Sequence, residues 1–153
     1  MCPAQHARRV TPSRAETAQQ ILQAFVAPRT VLVVDDEPAV RDLIAVMLEL
    51  EGHRVLQAGG GAEALELAAS HEIDLITLDV MMPDLDGWSV SRELDRDPRT
   101  ARIPRVMVSG KPLLELEREQ RTFNVTSAAL LAKPFDFVTF IELVRRVLEP
   151  QAA

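Results

Sequence analysis

The sequence predicts an α/β protein: a doubly wound, five-stranded parallel sheet with helices on both faces. Five short apolar runs alternate along the chain with segments whose apolar residues recur at helical spacing. The runs 31–34 and 129–132 contain only apolar residues, which is typical of strands in a parallel sheet that is covered on both faces. A further short helix is predicted before the first strand.

Composition and charge narrow the functional class. The chain has 153 residues, of which 47% are hydrophobic, and a formal net charge of −6. The acidic balance argues against direct nucleic-acid binding, which needs a basic surface. No apolar run approaches the roughly 20 residues of a membrane span, and a single cysteine favours a reducing compartment. We therefore expect a cytoplasmic protein that binds neither nucleic acid nor a membrane.

The chain divides into an N-terminal extension (1–29), one domain (30–149) and a short tail (150–153). In the extension, Ser13 and Glu16 have the spacing of a capping box and predict a helix from Arg14 to Val26. Its apolar positions are Ala15, Ala18, Ile21, Leu22 and Phe25. So short a helix needs a surface to pack on, and that surface could be its own domain, a second copy or a partner.

The first strand is the run Val31–Val34, which ends directly in Asp35 and Asp36. Pro38 suits the first turn of the helix that follows, and Gly52 ends it. We expect this helix to turn six apolar residues inward: Val40, Leu43, Ile44, Met47, Leu48 and Leu50.

The middle of the domain repeats the pattern. A strand over 53–58 is followed by a glycine turn and a helix over 62–71. The central strand begins at Leu75 and ends in Asp79. The turn tract after it contains Pro83 and Gly87, and a helix over 88–95 follows.

The last two strand–helix units complete the sheet. A strand over 104–109 ends in Ser109 and leads to a helix over 113–123. A strand over 129–132 ends in Lys133, and Asp136 caps the final helix, which runs to Leu148.

Away from the strand ends, we expect His6, His53 and His71 to be surface residues and Trp88 to be a packing residue.

Charged and hydroxyl side chains stand where four of these strands end. In a parallel sheet, Asp35, Asp36, Asp79, Ser109 and Lys133 should meet at one edge, where ligands bind. Crowded carboxylates favour a divalent cation with oxygen ligands, such as Mg²⁺. An ammonium and a hydroxyl beside that cation suit a phosphoryl group, and a carboxylate can itself attack phosphorus.

These residues lie in motifs that resemble the receiver domain of two-component response regulators, as in the chemotaxis regulators. The motifs are Val33-Val34-Asp35-Asp36-Glu37, Leu78-Asp79-Val80-Met81-Met82-Pro83-Asp84-Leu85-Asp86-Gly87, Val108-Ser109-Gly110 and Lys133-Pro134-Phe135. The resemblance covers 30–149 and implies a flavodoxin-like fold. The extension lies outside it.

The resemblance implies that Asp79 accepts a phosphoryl group in a reaction that requires Mg²⁺. It also implies a set of Mg²⁺ ligands: Asp35, acting mainly through water, the carboxylates of Asp36 and Asp79, and the backbone carbonyl of Met81.

The resemblance further implies that Lys133 pairs with the acceptor and then with the phosphoryl group, that Ser109 moves toward the phosphoryl oxygen, and that the Lys133–Pro134 bond is cis. One departure is Leu130, which stands where most receivers carry an aromatic residue that moves with the hydroxyl. The coupling of Ser109 to distant surfaces is therefore open.

The implied function is a phosphorylation-dependent switch with only self-catalysed phosphotransfer and dephosphorylation, rather than a metabolic enzyme. Its implied partner is a sensor histidine kinase or a phosphotransfer protein. A homodimer could form through the N-terminal helix or through the face of the fourth helix, fifth strand and fifth helix. Two alternatives are an aspartyl-nucleophile phosphohydrolase and a phosphate-independent scaffold. The sequence leaves open whether the chain acts alone or belongs to a longer protein.

Overall fold

The computed structural model of the chain describes residues 13–17, 27–125 and 129–149. Within them the sheet is five-stranded, in the order β2-β1-β3-β4-β5, and all neighbouring strands are parallel. The strands are β1 (Thr30–Val34), β2 (Arg54–Ala58), β3 (Leu75–Asp79), β4 (Arg105–Ser109) and β5 (Ala129–Ala132). The predicted doubly wound sheet is confirmed.

Five helices connect and follow these strands. They are α1 (Pro38–Leu50), α2 (Gly61–Ser70), α3 (Gly87–Arg96), α4 (Leu113–Phe123) and α5 (Phe137–Leu148). They match the predicted helices with small differences at the ends. Asp136 caps α5 as predicted, because its carboxylate accepts a hydrogen bond from the Thr139 N–H at 2.7 Å.

The helices cover both faces of the sheet with separate apolar cores. One core packs α2, α3 and α4 against the sheet and includes Ala64, Trp88 and Leu116. The other packs α1 and α5 on the opposite face and includes Leu48 and Phe140. Every residue of β3 is buried, so the central strand is fixed from both sides.

The start of the N-terminal helix is described, and its capping box is confirmed. The Ser13 N–H donates to the Glu16 carboxylate at 2.6 Å, and the Glu16 N–H donates to Ser13 Oγ at 3.2 Å. Residues 14–17 are helical. The rest of the predicted helix, the tail 150–153 and His6 lie outside the described residues.

Three burial predictions are wrong. Leu43 and Leu50 are 55% and 73% exposed, because the apolar residues of α1 spread over more of the helix than the sheet covers. Conversely, His53 is buried. Its Nδ1 accepts a hydrogen bond from the Arg29 N–H at 3.2 Å, a tertiary contact that satisfies this nitrogen. His71 is exposed and Trp88 is buried, as predicted.

Across the described part of the chain, we find no helix that combines the length and the apolarity needed to cross a bilayer.

Candidate functional site

Three carboxylates come together at the edge where the parallel strands end. Asp35 and Asp36 follow β1, and Asp79 is the last residue of β3, which pairs with β1. One oxygen from each residue can be chosen so that all three lie within 4.8 Å of one another. The sequence therefore predicts correctly that separate strand ends build one acidic cluster.

Backbone N–H groups orient two of these carboxylates. The Glu37 N–H donates to Asp35 Oδ1 at 2.9 Å, and the Met81 N–H donates to Asp79 Oδ1 at 3.2 Å. In both cases the donor lies two residues after the acid, so the turn that ends the strand also fixes the side chain.

Lys133 brings the balancing positive charge from the end of β5. Its Nζ lies 2.8 Å from Asp35 Oδ2 and 3.7 Å from Asp79 Oδ2. Its backbone N–H donates to the Ser109 carbonyl oxygen at 2.7 Å, which continues the pairing of β4 and β5 past their ends. The Lys133–Pro134 peptide bond is cis, as predicted.

The surroundings of the site shift the pKa values of both Asp79 and Lys133. Burial raises the pKa of Asp79 to about 7, opposed by the charge of Lys133 and increased by the nearby negative charges of Asp35 and Asp36. Burial lowers the pKa of Lys133, but the hydrogen bond to Asp35 and the charge of Asp79 outweigh it and leave the value raised. Lys133 therefore remains charged and is available to an anionic ligand.

Ser109 ends β4, beside the acidic cluster. In the sheet register Asp79 is opposite Val108, the residue before Ser109. Ser109 is fully buried, and its Oγ accepts a hydrogen bond from the Lys111 N–H at 3.2 Å. The predicted convergence of strand ends thus includes the hydroxyl.

Two further acids of the turn after β3 have structural partners. Asp84 Oδ2 accepts a hydrogen bond from the Gly61 N–H at 3.0 Å, which ties the turn to the start of α2. Asp86 caps α3, since its Oδ1 accepts from the Ser89 N–H at 3.0 Å. These two acids therefore stabilise the turn and the helices next to it.

Gly87 allows α3 to begin directly against β3. A Cβ atom at this position would lie 2.4 Å from the Asp79 carbonyl oxygen and 2.9 Å from the Val80 Cα. Only glycine fits so close a backbone approach. The position of Asp79 therefore depends on the residue that starts the next helix.

Arg41, which the sequence does not single out, contacts the backbone of the cluster at Asp35. One guanidinium nitrogen donates to the Asp35 carbonyl oxygen at 2.9 Å, and Nε donates to Gln57 Oε1 at 3.2 Å. The contact joins α1 to the end of β1 and to β2. An arginine one turn into a helix gives no local signal of such a role.

The cluster suits a hard divalent cation. Its donors are carboxylate oxygens, the ligands that Mg²⁺ prefers, and three of them can approach one point. Three acids stand beside one ammonium, and a bound cation would stabilise their ionised forms. The predicted Mg²⁺ cofactor fits the residues present.

Comparisons with known proteins agree with this geometry. The family model of the response regulator receiver domain matches residues 31–145. The DNA-binding dual master transcriptional regulator RpaA of Synechocystis is 38% identical over 128 residues, which are 80% of this chain and 52% of RpaA. The chain thus spans about half the length of this curated relative.

Solved structures show the same likeness. The chemotaxis protein CheY4 of Vibrio cholerae is 30% identical, with a TM-score of 0.73 over 80% of this chain and 100% of that one. The response regulator protein TrrA of Thermotoga maritima, solved in complex with Mg²⁺-BeF, is 28% identical. Its TM-score is 0.68 over 78% of this chain and 99% of that one.

Proposed function

The chain belongs to the response regulator receiver domain family, and from this premise we propose that Asp79 is its phosphoacceptor. The family consists of phosphoacceptor signalling modules rather than classical enzymes, and its members receive the phosphoryl group from a histidine kinase. The observation that supports the assignment is the position of Asp79, whose carboxylate clusters with those of Asp35 and Asp36 and lies 3.7 Å from the Lys133 ammonium.

The reaction that we propose is an in-line transfer. An Asp79 oxygen attacks the phosphorus of a phosphohistidine, the P–N bond breaks, and the imidazole leaves with the bond electrons. When bound, Mg²⁺ supplies positive charge to the phosphoryl oxygens. Asp36, Asp79 and the Met81 carbonyl would hold the ion directly, and Asp35 would act mainly through water.

Lys133 and Ser109 complete the proposed site. The ammonium already lies beside Asp35 and Asp79. It could therefore bind an oxygen of a phosphoryl group on Asp79 with little movement. The Ser109 hydroxyl would donate a hydrogen bond to another phosphoryl oxygen. Its movement toward that oxygen would be the structural response to phosphorylation.

The decisive experiment is incubation with acetyl phosphate and Mg²⁺, followed by intact mass measurement. We expect one phosphoryl group on the wild-type chain and none on Asp79→Asn. Asp42→Asn is the matched control, since Asp42 is an exposed residue of α1. A phosphorylated Asp79→Asn chain would contradict the assignment.

We also propose the finer features of its partnership and organisation. The extension 1–29 and the tail 150–153 flank a receiver domain over 30–149. The phosphodonor is a sensor histidine kinase or a phosphotransfer protein, and the chain works in the cytoplasm without binding DNA or a membrane itself.

A homodimer through α4, β5 and α5 is the form of self-association that we favour over one through the N-terminal helix. Large apolar side chains are exposed at the starts of both helices of this face, namely Leu113 and Leu114 on α4 and Phe137 and Val138 on α5. Their burial between two copies would supply an apolar driving force.

A further inference from the structure

A chain of polar contacts connects Ser109 with Trp88 through helix α4. The Lys111 N–H donates to Ser109 Oγ at 3.2 Å. The Lys111 ammonium forms an ion pair with the Glu119 carboxylate. The other oxygen of Glu119 accepts a hydrogen bond from the Trp88 indole N–H at 2.7 Å. Four residues from β4, the loop after it, α4 and α3 are therefore linked in series.

One end of this series lies at the proposed phosphorylation site, and the backbone next to the other end packs against Asp79. Ser109 is the buried hydroxyl at the end of β4. Trp88 follows Gly87, whose N–H donates to the Val80 carbonyl oxygen at 2.9 Å and whose Cα lies against Asp79. A displacement at the site can therefore reach α4 from either end.

Ring stacking and ionic hydrogen bonds stabilise the contacts of this series. The indole is 2% exposed and stacks on Phe123 near the end of α4, with ring centroids 6.3 Å apart. Burial opposes ionisation of Glu119, but hydrogen bonds from Lys111 and Trp88 outweigh it and hold the pKa of this carboxyl below its ordinary value. The carboxylate is thus charged at neutral pH, and both of its contacts persist.

We propose that Lys111 and Glu119 are positioning residues that couple the Ser109 hydroxyl to helix α4 and to Trp88. The inference rests on the proposed function, because the input is the phosphoryl group on Asp79. When the hydroxyl turns toward that group, the Lys111 N–H loses its acceptor, and a partly buried amide requires another. The loop must then rearrange, and Lys111 carries the change to Glu119.

The β5 position next to this region offers no comparable polar route. Leu130 is aliphatic, is only partly buried and packs in the core beneath α4. It has no donor or acceptor that could exchange partners with Ser109. The connected polar groups run instead through the loop after β4.

Trp88 is the single tryptophan of the chain, so its fluorescence reports the far end of the series. The full chain is titrated with beryllofluoride in the presence of Mg²⁺, and the change in emission is measured. In parallel, phosphorylation by acetyl phosphate is measured by intact mass, which also shows that each variant is folded. The variants are Lys111→Met and Glu119→Gln, with Lys111→Arg as the conservative replacement and Glu115→Gln as the matched control.

We expect the emission change to be lost in Lys111→Met and Glu119→Gln while Asp79 is still phosphorylated. Lys111→Arg should retain the change because it preserves the ion pair. Glu115→Gln should also retain it, because it removes only the longer Lys111 contact of 3.5 Å and leaves Glu119 in place.

Two results would overturn the coupling and leave the proposed function intact. One is a phosphorylated wild-type chain without an emission change. The other is a phosphorylated Glu119→Gln chain with the full change. If the wild-type chain is not phosphorylated on Asp79, the proposed function itself fails, and the two failures are therefore distinguishable.

Discussion

Asp79 is an acid whose surroundings favour its neutral form when no cation is bound. Its folded pKa of about 7 exceeds its ordinary value of 3.8, mainly because it is buried. Between these values the native chain binds more protons than the unfolded chain. The resulting stabilisation is complete below the ordinary value and is lost as the pH rises through about 7.

We therefore expect the free energy of unfolding, measured with urea in the presence of a chelator, to fall across this pH range. Asp79→Asn should lose less stability over the same range, because its amide does not titrate. Added Mg²⁺ should restore stability at the alkaline end by binding the native state. Parallel losses in the wild type and in Asp79→Asn would show that another group is responsible.

We expect Met81 to slow hydrolysis of the proposed aspartyl-phosphate. Its side chain is 58% exposed, two residues after Asp79, and a thioether is a poor hydrogen-bond partner for an attacking water. We expect Met81→Asn to accelerate phosphate release by about tenfold, the value of one hydrogen bond of about 1.4 kcal/mol in the transition state. Met81→Leu, which stays apolar, should leave the rate unchanged. Equal rates of phosphate release in the two variants would count against this role.

At the scale of elements, the junction of β3 and α3 is a close backbone contact beside the site. The atoms that a Gly87 Cβ would meet belong to the backbone, which cannot yield as a flexible side chain can. We expect Gly87→Ala to lower the free energy of unfolding by about 1–3 kcal/mol, measured by denaturant titration. Gly110→Ala is the control, since a Cβ there would meet no atom within 4 Å. Equal losses in both variants would refute the argument.

The strand and helix pattern was predictable because it is local. Apolar runs, Pro38, Gly52 and the capping residue Asp136 each act on their neighbours in sequence. The site was predictable because parallel strands bring their carboxyl ends to one edge of the sheet. The polar residues at those ends therefore lie close together.

The misjudged residues all depend on contacts that are distant in sequence. His53 is buried because the Arg29 N–H supplies its partner. Leu43 and Leu50 are exposed because the sheet covers only part of α1. Arg105, also missed, is a buried arginine of β4 that forms an ion pair with Asp95 of α3. None of these contacts leaves a periodic signal in the sequence.

For the whole molecule, the exposed apolar residues of α4 and α5 bear on self-association. We expect beryllofluoride with Mg²⁺ to double the solution mass of the full chain and of a chain lacking residues 1–29. Leu114→Gln combined with Val138→Gln should abolish the doubling because both substitutions remove exposed apolar area from this face. Leu50→Gln is the control, because Leu50 is an exposed apolar residue of α1 and lies outside the surface formed by α4, β5 and α5. Doubling that requires residues 1–29 would assign the interface to the extension instead.

β5 lies at the edge of the sheet, and Lys133 follows it directly. A local opening of β5 can therefore remove Lys133 from the site without unfolding the strands that carry the aspartates. An edge strand is paired on one side only, and such a strand opens at a lower free-energy cost than the whole domain. When β5 detaches, the ammonium departs with it, while Asp35, Asp36 and Asp79 stay on the inner strands. The protein would then pass transiently through a form that retains its affinity for a cation but has no counter-charge for a phosphoryl group. Amide exchange of β5 would therefore measure the equilibrium population of this open form.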